Sequence, residues 1–249
     1  MTTPVLALRD VSKSFGGLQV CNKVGLQIVA GELHGLIGPN GAGKTTLLDL
    51  ISGLLPIDTG TLVFHGRDIT GLPMHRRARL GMARSFQITS LFPGFTVREN
   101  IELAVQAVSG SSFRFRLPAA HDPDLYKPAA EIMSRVGLSA RAGIRAENLA
   151  HGEQRLLEMG MALAVRPSLL LLDEPTAGLG PGSSRNLVEL IKTLKKEITI
   201  LLVEHDMNAV FSLADRITVL VQGRVIATDS PAAIHNNQAV QEAYLGVPC

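Results

Sequence analysis

Several features that mark specialised protein classes are scarce in this sequence. The two cysteines, Cys21 and Cys249, are too few and too oddly placed for a disulfide framework or a metal cage. Lysine and arginine number 24 against 22 acidic residues, so the formal charge of +2 gives no electrostatic footprint for nucleic acid. No secretion signal opens the chain, and no run approaches the roughly 18 apolar residues of a spanning helix. These absences predict a protein of the reducing cytoplasm, with any membrane role coming through partners.

Short apolar runs separated by helical stretches are present, and this pattern predicts an α/β fold. The 249 residues are 46% hydrophobic, which is enough for one large domain or a domain with an inserted lobe. Parallel strands with crossover helices are expected from the runs at 169–172, 198–203 and 217–221. The other predicted strands are 5–8, 25–29, 33–37 and 225–228, the last forming a hairpin with 217–221.

The stretch from about 86 to 165 has a different pattern. It shows helical periodicity without a convincing strand, and it contains a Pro/Ser/Arg-containing segment at Ser109–Pro123. We interpret it as a helical lobe with one exposed loop, inserted into a core of about 1–85 and 166–249. Because no internal repeat or low-complexity tract is present, the sequence predicts a single domain over 1–249.

A glycine-rich loop follows the predicted strand 33–37 and precedes a helical run at 47–54. Its residues are Gly38, Pro39, Asn40, Gly41, Ala42, Gly43, Lys44, Thr45 and Thr46. The spacing is typical of a phosphate-binding loop, in which backbone N–H groups and a helix N-terminus surround the phosphates. Lys44 would neutralise phosphate oxygens, and Thr45 would offer its hydroxyl to Mg²⁺. The alternative is a glycine-rich turn before a helix.

Two acidic residues, Asp173 and Glu174, end the apolar run 169–172. Open α/β sheets bind their ligands at this end of a strand. We expect Asp173 to hold Mg²⁺ through water and Glu174 to polarise the attacking water. An acidic helix cap would explain Asp173 alone, but it would not explain the pair beside a phosphate loop.

In this order, the loop and the acidic pair resemble the ATP-binding-cassette ATPases, and the resemblance covers nearly the whole chain. It implies a P-loop NTPase core with a parallel sheet, an N-terminal antiparallel β subdomain and an inserted helical subdomain, which binds ATP with Mg²⁺ and hydrolyses it. Phe15 matches the ring that lies against adenine. Gln87 matches the glutamine that contacts Mg²⁺ and joins the core to the helical lobe. His205 matches the histidine that contacts the γ-phosphate. The alternatives are a core phenylalanine, a surface glutamine and a structural histidine.

The family's signature loop, normally leucine, serine, glycine, glycine, glutamine, is matched only in part by Leu149–Arg155. The resemblance implies that four residues act on ATP held by a second subunit: Ala150, His151, Gly152 and Glu153. We expect the loop to end at Gly152 and to open a helix that reaches Val165. Ala150 lacks the hydroxyl that the family's serine donates to the γ-phosphate, a bond worth roughly 1.5–3 kcal/mol. Gly180 stands where the family usually has an aspartate. Ala150 and Gly180 therefore both depart from the family pattern, which fits a dimer whose two ATP sites differ.

Three stretches are similar to ATPase subunits of branched-chain amino-acid importers: Arg84–Pro93, His151–Met159 and Glu242–Gly246. This resemblance implies a motor at the cytoplasmic face of a membrane, with two permeases, a second ATPase subunit and an extracytoplasmic substrate-binding protein. A heterodimer is favoured over a homodimer. The same branch extends to urea, amide and other amino-acid systems. A soluble cassette ATPase of an assembly complex and a slow ATP sensor are the other hypotheses.

The permease is expected to dock in a groove just after Gln87. Apolar side chains there are Leu91, Phe92, Phe95 and Val97, which could receive a short helix from the membrane partner. The alternative is that these four residues fill the core of the helical lobe.

Overall fold

The structure, a computed structural model, describes residues 3–85, 91–109 and 123–245. The strands are β1 Leu6–Phe15, β2 Leu18–Ile28, β3 Leu33–Ile37, β4 Thr59–Phe64, β5 Arg67–Asp68, β6 Met82–Arg84, β7 Leu169–Asp173, β8 Thr199–Val203, β9 Arg216–Val221 and β10 Arg224–Asp229. The helices are α1 Lys44–Ser52, α2 Met74–Arg79, α3 Val97–Ser109, α4 Pro123–Arg135, α5 His151–Ala164, α6 Pro181–Leu194, α7 Met207–Leu213, α8 Pro231–His235 and α9 Gln238–Leu245.

Gln87, Cys249 and most of the Ser109–Pro123 segment lie outside the described residues. Within the described ranges, no helix is long and apolar enough to cross a membrane.

The N-terminal strands form a four-stranded antiparallel sheet in the order β2-β1-β4-β5. Strands β1 and β2 are joined by a turn at Gly16 and Gly17, and Phe15 pairs with Leu18 at its base. Apolar side chains of this sheet, including Leu6, Val24 and Leu62, are fully buried in one hydrophobic cluster with α1. The predicted antiparallel β subdomain is therefore confirmed.

The second sheet has six strands in the order β10-β9-β3-β8-β7-β6. Neighbouring strands from β9 to β6 are parallel, and β10 pairs antiparallel with β9 as the predicted hairpin. Every residue of β3, β7 and β8 is buried, as is usual for strands covered on both faces. Because these strands are parallel, the segments that follow their carboxyl ends emerge at one edge of the sheet.

Helices α3, α4 and α5 pack against one another in the sequence between β6 and β7. Their buried side chains, among them Ile101, Ile132 and Leu157, join Leu170 of β7 and Leu187 of α6 in one hydrophobic cluster. Between residues 91 and 164, the described chain has no strand and only an isolated bridge from Thr96 to Arg145. The division into a core and a helical lobe stays a prediction.

Several expected boundaries were wrong, and three strands were missed. Strands β5 and β6 are only two and three residues long, while β4 carries no run of buried residues that would mark it. The helix expected over 47–54 is α1, which ends where Gly53 adopts a left-handed conformation at φ 81°. The signature helix α5 starts at His151, before Gly152, and it ends at Ala164, so that Val165 follows it.

Candidate functional site

The glycine-rich loop connects β3 to α1 and turns tightly against neighbouring backbone. Gly43 precedes α1 at φ 98°, a left-handed conformation that disfavours any side chain. A Cβ atom on Gly38 would lie 2.1 Å from the Leu220 carbonyl oxygen, so only glycine fits there. The first turn of α1 carries no acidic residue and no side-chain cap. Its N–H groups lack intrahelical acceptors and are therefore free to bind an anion.

Lys44 folds back over this loop. Its Nζ donates to the carbonyl oxygens of Gly38 at 2.7 Å and Pro39 at 3.1 Å. Burial lowers the pKa of the Lys44 ammonium, while the negative charges of Glu174 and Asp173 oppose that shift. The lysine and the acidic pair, which are far apart in the sequence, thus influence one another electrostatically.

Asp173 ends β7 with one carboxylate oxygen bonded and the other free of partners. Arg84, at the end of β6, donates from Nη2 to Asp173 Oδ2 at 3.0 Å. Asp173 Oδ1 is buried and has no hydrogen-bond partner among the described residues. Burial raises the pKa of this carboxyl group, and the Arg84 charge opposes the shift. A buried carboxylate oxygen without a donor is an unusual arrangement that a bound cation or its water would satisfy.

Glu174 and His205 meet at the edge formed by β7 and β8. Glu174 has φ 45°, an uncommon value for a residue with a side chain. Its N–H donates to the Val203 carbonyl at 2.8 Å, which fixes this backbone against the end of β8. The His205 side chain is 59% exposed, and its Nδ1 lies 3.7 Å from Glu174 Oε2. The two predicted catalytic side chains therefore lie together, on the exposed side of the sheet edge.

Phe15 is a surface residue at the end of the β1–β2 hairpin. Its side chain is 48% exposed, so the alternative of an ordinary core phenylalanine was wrong. Lys13 Nζ lies 5.6 Å from the centre of its ring. The next residues of the hairpin approach the phosphate loop, because a Cβ on Gly43 would lie 2.7 Å from the Val20 carbonyl oxygen. Phe15 is thus an exposed ring on the hairpin whose second strand contacts the loop, and exposed aromatic rings can stack on flat ligands.

The sequence matches the family model described as ABC transporter over residues 21–177. A second model, described as branched-chain amino acid ATP-binding cassette transporter, matches residues 224–248. The chain belongs to the ABC transporter family. It is an ATP-binding subunit of that family, and it hydrolyses ATP.

Relatives of this ABC protein match over almost the full length. The high-affinity branched-chain amino acid transport ATP-binding protein LivG of Salmonella typhimurium is 40% identical, with 99% of each chain covered. A solved ATP-binding cassette of an ABC transporter, in its ADP conformation, superposes with a TM-score of 0.86 at 28% identity, covering 99% of this chain and 100% of that one. A dimeric cassette bound to ADP and phosphate gives 0.77 at 26% identity, covering 91% and 98%.

The residues of this ABC site fit ATP and Mg²⁺. The uncapped start of α1 and the Lys44 ammonium match the phosphates in charge. The unpartnered Asp173 Oδ1 is the orphaned acceptor that a magnesium-bound water would bond. No group of three or more His, Cys, Asp or Glu able to hold a metal occurs in the described chain.

The ABC signature residues lie at the start of α5 and contact the start of α6. Ala150 is the N-cap of α5, where it offers no side-chain acceptor, and Glu153 Oε2 accepts from the Ala150 N–H at 3.1 Å. Only half of a capping box is therefore formed. A Cβ on Gly152 would lie 2.5 Å from Ser183 Oγ, so this glycine allows α5 to approach α6 closely. Gly180, the N-cap of α6, likewise has no acceptor.

Two polar residues that organise the site were missed from the sequence. Arg84 links β6 to the ends of β7 and α1. Glu204 is buried after β8 and accepts from the N–H and the hydroxyl of Thr176 at 2.9 and 2.6 Å, which holds the turn after Glu174. An acidic residue directly before His205, the histidine predicted to contact the γ-phosphate, was a usable signal for Glu204. Gln87, predicted to contact Mg²⁺, lies outside the described residues.

Proposed function

We propose that this subunit powers an importer of branched-chain amino acids and works at the cytoplasmic face of a membrane, to which permease subunits attach it. The observation that carries the proposal is the full-length match to LivG, a branched-chain amino acid transport protein. The match of residues 224–248 to a branched-chain cassette model supports it independently of the phosphate loop. Urea, amides and other amino acids are the alternative substrates.

In the proposed reaction, the loop from Gly38 to Thr46 binds the ATP phosphates and Phe15 stacks on adenine. Thr45, Asp173 and Gln87 would hold Mg²⁺, which when bound neutralises charge on the phosphate oxygens. Glu174 accepts a proton from the attacking water, and its 3.7 Å distance from His205 allows both groups to face the γ-phosphate. The loop N–H groups and Lys44 stabilise the charge that develops.

A second ATPase subunit completes the site in this proposal. Ala150, His151, Gly152 and Glu153 would contact ATP bound by that subunit, through the N-terminal end of α5. A similar cassette has been solved as a dimer bound to ADP and phosphate, which supports this arrangement. Because neither Ala150 nor Gly180 carries a polar side chain, we propose a heterodimer in which the two sites differ.

The proposed permease contact combines a groove and an exposed aromatic pair. The docking groove, a cavity of about 250 Å³, is lined mainly by small and apolar side chains of α2, β6, α3 and α5, including Met74, Ala78, Ala104 and Met161. Phe92 and Phe95 are 45% and 44% exposed, with ring centres 5.4 Å apart. Val97 is fully buried, so its expected place on the docking surface was wrong. A short apolar helix is the partner that such a surface fits.

Replacing both Phe92 and Phe95 by serine is expected to reduce permease binding. Exposed aromatic rings are frequent anchors of interfaces, and losing one typically costs about 2 kcal/mol or more. Copurification of permeases with the double variant should therefore fall at least about tenfold. Tyr126→Ser is the matched control, since Tyr126 is 45% exposed on α4. Equal permease recovery from both variants would contradict this docking surface.

Uptake measurements test the proposed substrate. Cells whose only copy carries Glu174→Gln should lose most high-affinity uptake of radiolabelled leucine, isoleucine and valine, because the motor cannot complete its cycle. Urea and short amides, measured in the same cells, serve as the comparison. Unchanged uptake of all three amino acids, with loss of urea or amide uptake, would move the assignment to those substrates.

A further inference from the structure

The Arg84 guanidinium bridges Asp173, the predicted magnesium ligand, and α1, the helix that follows the phosphate loop. Its Nη2 donates to Asp173 Oδ2 at 3.0 Å, while its Nη1 donates to Asp49 Oδ1 and, at 3.2 Å, to Ser52 Oγ near the end of α1. The Arg84 side chain is only 7% exposed, and that of Asp173 is fully buried. Planar guanidinium groups fix two partners in orientation as well as in distance.

The Arg84 hydrogen bond determines which carboxylate oxygen of Asp173 is available to a ligand. Oδ2 is occupied by Arg84, whereas the buried Oδ1 finds no hydrogen-bond partner in the part of the chain that the structure describes. Carboxylates rotate about their last bond unless a neighbour restrains them. With Oδ2 tied to α1 through Arg84, Oδ1 is held in one place as the acceptor for magnesium's water.

Arg84 also lies where the docking groove meets the metal site. Arg84, Ser85 and Ser52 line the groove, and the Ser85 N–H continues the β6–β7 ladder by donating to the Leu171 carbonyl at 3.0 Å. A partner helix seated in the groove would therefore lie against Arg84, the residue that holds Asp173. This contact gives a direct physical path from the groove to the metal ligand.

We infer that Arg84 is a positioning residue: by bridging Asp49 and Asp173, it orients Asp173 toward the magnesium of bound ATP and joins that ligand to the docking groove. The inference rests on the proposed magnesium role of Asp173. Arg84 need not touch the nucleotide, since both of its anchors are protein side chains. Its loss should weaken the contribution of Mg²⁺ to ATP binding more than ATP binding itself.

The test compares ATP affinity with Mg²⁺ and with EDTA, by equilibrium dialysis of labelled ATP against the full chain in a Glu174→Gln background. In the parent, Mg²⁺ is expected to tighten binding. In Arg84→Gln, that tightening should fall at least about tenfold, equivalent to about 1.4 kcal/mol, while affinity in EDTA changes less than about twofold. Arg84→Lys keeps the charge but cannot span both acids, so it should restore only part of the effect.

Arg77→Gln is the matched control. Arg77 is a second buried arginine, but its described partners are all backbone carbonyls, among them those of Leu50 and Ile51 at the end of α1. This variant should lose thermal stability and keep the full Mg²⁺ effect. A reduced Mg²⁺ effect in Arg77→Gln would indicate general loosening and would overturn the inference.

Asp49→Asn keeps the test decisive if Arg84→Gln does not fold. It should reduce the Mg²⁺ effect less than Arg84→Gln, and the double variant should be no worse than Arg84→Gln alone, since both act through one link. An unchanged or stronger Mg²⁺ effect in Arg84→Gln, or full restoration by lysine, would overturn the inference. If Mg²⁺ fails to tighten ATP binding in the parent, the metal role of Asp173 is itself wrong.

Discussion

Glu174→Gln is expected to retain Mg·ATP binding while ATP hydrolysis falls at least about a hundredfold, a loss of roughly 2.7 kcal/mol in transition-state stabilisation. The amide has nearly the shape of the carboxylate, but it cannot accept the proton of the attacking water. Glu174 lies at the sheet edge 3.7 Å from His205, and its backbone is bonded to Val203, so the substitution should leave the fold intact. Phosphate release and ATP binding, measured on the same preparation, give both quantities.

Glu189→Gln supplies the control for that experiment. Glu189 is an exposed residue of α6 whose side chain pairs with Lys192 at 2.8 Å. Its replacement should leave both hydrolysis and ATP affinity within about twofold of the parent, because exposed ion pairs contribute little. Unchanged turnover in Glu174→Gln would remove this residue from the role of general base and would direct attention to His205.

Lys44→Ala is expected to abolish useful affinity for ATP, with the dissociation constant rising at least about a hundredfold. Lys44 is the ammonium group that we expect to bind the ATP phosphates, and hydrogen bonds to charged groups are worth roughly 1.5–3 kcal/mol each. Burial lowers the pKa of Lys44 because a buried ammonium group loses hydration. Alanine removes this desolvation cost from the folded state. The variant should therefore fold, as a thermal melt without nucleotide would verify.

Lys192→Ala controls for the loss of a lysine far from the loop. It should bind ATP normally, since Lys192 Nζ contacts only the Glu189 carboxylate. ATP should raise the melting temperature of this control and of the parent, and it should leave that of Lys44→Ala unchanged. Tight ATP binding by Lys44→Ala would contradict the phosphate-loop interpretation.

Much of the fold could be predicted because parallel strands buried on both faces leave continuous apolar runs. Strands β3, β7 and β8 follow such runs closely, and each is followed by residues that the sequence predicts to belong to the site. Short or mixed strands such as β6 leave too little pattern to be predicted. The same limit hid Arg84, because its contact with Asp173 depends on pairing between β6 and β7, which are separated by the whole helical segment.

The expected site residues differ in how far local sequence determines their surroundings. The phosphate loop could be predicted because its glycine spacing is local, although its close approaches to Leu220 and Val20 depend on distant parts of the chain. Phe15 could not be assigned to core or surface from its neighbours, and its exposure depends on the turn at the end of the hairpin. Val97 reads as one of four apolar docking residues, but tertiary packing buries it against the other helices.

The signature loop is proposed to act on a second subunit. Its residues approach α6 of the same chain through Gly152 and Ser183, and the segment before α6 through His151 and Gly178. The phosphate that the N-terminal end of α5 would bind belongs, in this proposal, to another subunit. The consequence of Ala150 is therefore expected to appear in the assembled complex.

Affinity isolation of the tagged Glu174→Gln protein from native membranes with Mg·ATP tests the importer assignment most directly. The variant should hold ATP without completing the cycle and so keep the assembly together. The expected result is recovery of two permeases and a second, different ATPase subunit. Recovery of soluble partners alone, or of none, would contradict the importer motor and favour an ATPase of an assembly complex.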